Sequence, residues 1–196
     1  APVSFGINAA TIVTGSGYGI DDGNNGENGG KWLDVRFDNS FAAQTFALSA
    51  GGSVSFNFAI VSFNEPNTGS GGNLGIRDDE MDDLGLSVRF DFADPWAGAI
   101  SLTGIGTATI GAIDDDAVDY AITWHAWEAD LGASGRFRLS VDPMSFTNKG
   151  TQTARATVEL LSAPELRVAN LPEPTSLALV GAALAASGAV RRRRKA

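Results

Sequence analysis

The acidic side chains offer this sequence its widest chemical range. Asp21, Asp22 and Glu27 lie in one Gly/Asn-rich stretch. Asp78, Asp79, Glu80, Asp82 and Asp83 lie in a second, and Asp114, Asp115 and Asp116 in a third. Ca²⁺ takes about six to eight oxygens and suits carboxylates set in Asp/Asn/Gly loops. None of the stretches follows the EF-hand spacing. Two readings stand side by side. The loops are solvated charge that keeps a protein soluble and its sheet edges unpaired, or some of Asp78, Asp79, Asp82, Asp114 and Asp116 hold a calcium ion. If consecutive strands alternate direction, 64–83 and 114–116 fall at one end of the fold and Asp21–Glu27 at the other.

Other chemistries find less to work with. The chain has no Cys and one histidine, His125. Thiol chemistry and disulfides are excluded, and a zinc site lacks its usual ligands. A Ser-His-Asp triad would have to use His125, and no Ser sits in a nucleophile-elbow motif. Paired carboxylates for glycoside hydrolysis have many acids to draw on, but none of them is singled out as a pair. Tyr120, Trp124 and Trp127 flank His125. In a strand Tyr120, Ile122 and Trp124 face one way and His125 and Trp127 the other, so core packing is preferred to a coplanar sugar platform.

The elements that carry these loops are strands. No helical period persists over 1–170, whereas period-two alternation recurs. Val3, Phe5 and Ile7 alternate, and a Thr11–Thr14 run follows. Leu33, Val35 and Phe37 share one face. Phe46 and Leu48 precede a Gly51-Gly52 turn, beyond which Val54, Phe56, Phe58 and Ile60 continue the pattern. Leu84, Leu86, Val88, Phe90 and Phe92 alternate without a break. Ile100–Ile113 reads as one bent strand or two. Tyr120 to Trp124, Phe137 to Val141 and Ala154 to Leu160 complete the set. About ten short strands separated by turn signals predict an all-β fold, an antiparallel β-sandwich of jelly-roll type, over residues 1–170. Phe56, Phe58, Val88, Phe90 and Leu139 are its expected core.

Charge narrows the partners. Residues 1–170 carry 22 acidic and 9 basic side chains, a net −13, and the tail carries +4. A domain so acidic repels nucleic acid. The sequence opens Ala1-Pro2, which is read as the small residue left by a removed export signal, or as Met trimming.

Residues 171–196 differ in kind. In Pro172-Glu173-Pro174 the two prolines fix φ and cannot donate backbone hydrogen bonds. Leu177 to Val190 carries no charge, and Arg191, Arg192, Arg193, Arg194 and Lys195 follow. A single C-terminal hydrophobic helix over Leu177–Val190 would span roughly 20–25 Å, short for a hydrocarbon core of about 30 Å. Snorkelling basic stems make up part of the deficit, and the basic cluster belongs on the cytoplasmic side.

In its order of Pro-Glu-Pro, apolar helix and basic cluster, this tail resembles the PEP-CTERM sorting signal of Gram-negative bacteria. The resemblance covers about an eighth of the chain. It implies recognition by exosortase, a membrane-embedded transpeptidase-like enzyme, with Pro172, Glu173, Pro174 and Arg191–Arg194 as the sorting residues. It also implies cleavage near Pro-Glu-Pro and delivery of an inner-membrane precursor to the cell surface or an exopolysaccharide matrix. The expected protein is an exported, non-enzymatic surface or biofilm-matrix protein. The alternative is a calcium-assisted carbohydrate-binding module on the same sandwich.

Overall fold

The computed structural model describes residues 2–21, 32–67, 75–113, 115–132 and 135–164. They form eleven strands: β1 (Val3–Thr14), β2 (Val35–Asn39), β3 (Gln44–Leu48), β4 (Ser53–Phe63), β5 (Gly85–Asp94), β6 (Gly98–Ala108), β7 (Tyr120–Trp124), β8 (Trp127–Gly132), β9 (Gly135–Val141), β10 (Met144–Phe146) and β11 (Gly150–Ser162). All pair antiparallel. One sheet has the order β10-β7-β6-β5-β1-β3, the other β2-β4-β11-β9-β8. Among the described residues no helix is long and apolar enough to cross a membrane. The expected helix Leu177–Val190 lies outside them.

The inner faces of the two sheets meet through aromatic rings. Phe90 of β5 packs edge-on against Phe56 and Phe58 of β4, with centroids 6.1 and 5.3 Å apart. Phe5 of β1 meets Phe137 of β9 at 5.3 Å, and Tyr120 of β7 stacks on Phe63 of β4 at 5.9 Å. Such pairs add to the burial free energy of large apolar surfaces. All five expected core residues, Phe56, Phe58, Val88, Phe90 and Leu139, are buried.

Bulges account for the departures from simple alternation. The pairing of β4 with β11 slips between Ala154 and Arg155, opposite Ala59 and Asn57. One extra residue in β4 reverses the facing of everything beyond it. Phe58 and Ala59 are therefore both buried, Ile60 turns outward, and Val61 and Phe63 take the interior. In β1, slips near Ile7 join the expected Val3–Ile7 strand and the Thr11–Thr14 run into one strand. The stretch from Ile100 resolves as one strand that ends at Ala108. β8 emerges as an edge strand, where cross-strand pairs Glu128–Arg138 at 2.8 Å and Asp130–Arg136 at 3.1 Å dress the exposed face.

The end-to-end placement of Asp21 needs correcting. Val35 of β2 pairs with Phe63, the last residue of β4, so β2 runs away from the end where β4 finishes. Leu48 of β3 lies just across the Gly51-Gly52 turn from the start of β4, so β3 runs in that same direction. The chain changes sheet between β2 and β3 without reversing. The connections 15–34, 64–84 and 109–119 consequently share one end. Ile76 and Gly111 exchange both backbone hydrogen bonds at 2.9 and 3.0 Å, and Ile113 N donates to Asn67 Oδ1 at 3.2 Å. Asp21 lies within 3.2 Å of Arg77.

Candidate functional site: buried carboxylates and a sorting tail

Three connections build the site at that shared end. After β1, residues 15–19 run close along the turn before β5. Gly17 N donates to Asp83 O at 3.2 Å, and Asp83 Oδ2 accepts from Ser16 N and Oγ at 2.7 and 2.6 Å. These donors hold the Asp83 carboxyl below the usual range. A Cβ on Gly17 would stand 1.9 Å from Asp82 O, so only glycine allows this approach. The segment then lies beside Leu33, with Leu33 N donating to Gly17 O at 2.9 Å. Asn64 N donates to Asp34 O at 2.8 Å, which sets Glu65 beside Asp34. A single 3₁₀ turn, Asp78–Glu80, directs Glu80 inward while Asp78 and Asp79 stay exposed.

The result is a group of buried acids. Asp21, Asp34, Glu65 and Glu80 are 7%, 4%, 0% and 0% exposed. Ligand oxygens of Asp21, Glu65 and Glu80 lie within 4.8 Å of one another. Arg77 is the cation among them. Its backbone N–H donates to Glu80 Oε2 at 2.7 Å and its Nε to Glu80 Oε1 at 2.8 Å. Its Nη2 reaches both Glu80 Oε1 and Asp21 Oδ2, the latter at 3.2 Å. Asp34 has Arg36 Nε 3.6 Å from Oδ1.

Glu65 is the member least provided for. Its Oε2 accepts from Asp34 N at 2.8 Å, but its Oε1 has no hydrogen-bond partner. Burial, with the charges of Glu80 and Asp21 adding to it, pushes the Glu65 carboxyl up to about 8 despite the Asp34 N–H. Burial also raises Glu80, with Arg77 opposing it, and raises Asp34, with Arg36 opposing it. Chemically the group can hold a proton or a hard cation. Nearby, the Tyr18 and Tyr120 hydroxyls meet at 2.8 Å, and Tyr18 donates to Leu84 O at 2.7 Å. Burial lifts Tyr18 to about 12 and Tyr120 higher still, so both stay neutral.

The sequence-expected metal residues fall elsewhere. Asp78, Asp79, Asp82 and Asp116 are exposed, and no three of them converge as a ligand group. Asp114 lies outside the described residues, as do Asp22 and Glu27. Glu65 and Glu80 lie outside the expected ligand set. The sequence offers one signal: a lone acid, Glu65, two residues past Phe63 at the end of an apolar run, and a lone base, Arg77, among the acids of 64–83. His125 is exposed in the crossover from β7 to β8, while Trp124 and Trp127 pack against the core edge.

The second functional element is the tail. Residues 170–194 match the family model of the PEP-CTERM protein-sorting motif. The tail is a PEP-CTERM sorting signal. Pro172, Glu173, Pro174 and Arg191–Arg194 all fall within the matched stretch, although they lie outside the described residues. A PEP-CTERM signal implies export through a membrane-anchored precursor and processing by exosortase. Comparison with curated proteins and with solved structures returns no match.

Proposed function

We propose that this chain is a non-enzymatic protein of the cell surface or extracellular matrix. Exosortase releases it from its membrane precursor, and it works there among exopolysaccharide as part of a biofilm matrix. Its 1–170 domain is read as a jelly-roll-like sandwich and its tail as a single membrane-crossing helix before cleavage. The sorting signal at 170–194 carries this reading. Supporting it, the domain is strongly acidic, lacks thiols, and keeps its one histidine on the surface away from the buried acids. Fractionation tests it. In a host with exosortase the protein should appear in the matrix fraction, and deletion of exosortase should leave it in the membrane. A matrix fraction that is unchanged by the deletion contradicts the proposal.

A second reading, a carbohydrate-binding module, is favoured by one feature. A groove of about 420 Å³ opens beside β1 and β2, and Tyr18, Ile20, Arg36 and Asp38 line it. Aromatic and charged side chains in one open groove suit a sugar chain. Retention of the protein on the host's exopolysaccharide, lost on Tyr18→Ala, is the expected result for this reading.

A further inference from the structure

We propose that Asp21, Glu65 and Glu80 form a Ca²⁺ site at the shared end of the two sheets.

Charge is the first argument. With all three carboxylates ionised the group carries −3 against +1 from Arg77, leaving −2 in a place nearly closed to water. Buried charge of that size is costly unless it is paired. One divalent cation brings the sum to zero. Geometry is the second. Three carboxylates from two connections, Asp21 from 15–34 and Glu65 and Glu80 from 64–84, bring oxygens within 4.8 Å of one another, the spacing of ligands around one ion. Like charges approach this closely only when something between them repays the repulsion.

The third argument is Glu65. It is wholly buried, it belongs to the converging group, and its Oε1 lacks any donor although Oε2 has one. An orphaned buried oxygen of this kind needs a partner. Arg77 does not hydrogen-bond that oxygen; it hydrogen-bonds Glu80 and Asp21, which it holds in place. All-oxygen donors select a hard cation over zinc. Three carboxylates supply three to six of the six to eight oxygens Ca²⁺ takes, with water supplying others. The site itself does not depend on the sorting reading, but an exported domain meets the millimolar Ca²⁺ that extracellular sites are tuned to.

The competing way to quench this charge is a proton on Glu65, and one substitution separates the two. Glu65→Gln keeps the shape, keeps an oxygen for the Asp34 N–H, and removes the ligand charge. The full chain, held in mild detergent for its apolar tail, is melted in EDTA and in 10 mM CaCl₂ at matched ionic strength. The expected result is a rise of about 5 °C with Ca²⁺ in the wild type. That rise should vanish in Glu65→Gln, which still folds in EDTA, and persist in the exposed-acid control Asp78→Asn/Asp82→Asn. If Glu65→Gln does not fold, Asp21→Asn takes its place. Coincident wild-type curves, an equal rise in Glu65→Gln, loss of the rise in the exposed-acid control, or an equal rise with MgCl₂ in wild type and variant alike would each overturn the site.

Discussion

Residues 170–194 and the β domain carry their information in opposite ways. The tail's role is complete in one short stretch: Pro-Glu-Pro, an uncharged run and a basic cluster, in order. A signal that another protein reads from a linear segment has to be locally complete. The domain's chemistry is dispersed. Asp21 lies far in sequence from Glu65 and Glu80, and the three meet only because the connections 15–34 and 64–84 share one end. The same end also bears Asp78, Asp79 and Asp82, denser in sequence yet exposed. Density of acids in the sequence does not separate buried from exposed: Glu80 is buried inside the run that leaves Asp78, Asp79 and Asp82 exposed, and Glu65 is buried as a solitary acid.

The largest expected effect breaks the tail and spares the domain. Replacing Arg191–Arg194 with neutral residues removes charges that cost roughly 2.5–3.5 kcal/mol each to place at the membrane centre. The tail then loses its hold on the cytoplasmic side, and the cleaved fraction on an immunoblot should fall steeply. Unchanged processing would remove the orienting role of those arginines.

Within the domain, Phe90→Ala should cost about 3–5 kcal/mol. Phe90 is fully buried between Phe56 and Phe58, and its removal leaves a cavity between the sheets. Urea melts read this directly; a near-native midpoint would mean that the two sheets do not share that core.

Next comes Arg77→Met, which strips Asp21 and Glu80 of their cation. Breaking such a pair while its carboxylates stay buried costs on the order of 3 kcal/mol. In EDTA the loss should appear as a lower melting temperature, largest at high pH, where the acids are ionised. A variant as stable as wild type would show that Arg77 does not hold the group together.

The smallest effect is a slope. Glu65 has an ordinary value of 4.5 and is raised to about 8 in the fold. Between those values the folded chain holds a proton that the unfolded chain has lost, so stability falls as pH rises. This contribution is fully present below about 4.5 and is lost as pH climbs through about 8. In EDTA the melting temperature should therefore drop from pH 5 to pH 8, and Glu65→Gln should flatten that drop. A melting temperature that climbs across this range would place the Glu65 carboxyl in a different environment.

The strands were legible in the sequence because alternation is a local consequence of burying one sheet face. Leu84 to Phe92 is buried at every second residue as read. Alternation alone points Ile60 inward, because the bulge in β4 is a property of its pairing with β11 that the residues of β4 do not reveal. Counting strand direction by simple alternation puts Asp21 at the wrong end. The crossover from β2 to β3 leaves direction unchanged, and it shows only in the pairings. β8 gives little signal because its alternation, Trp127, Ala129 and Leu131 against Glu128 and Asp130, is weakly apolar, as an edge strand's is. The buried acids were hidden for a related reason: whether a lone Glu is solvated depends on what the other connections place over it.

If exosortase reads and removes the tail, the intact mass of the surface-released protein records the cut. The expected polypeptide ends near Leu171–Ser176, with the apolar run and the basic cluster gone. Released protein that still carries Arg191–Lys195 would contradict that reading.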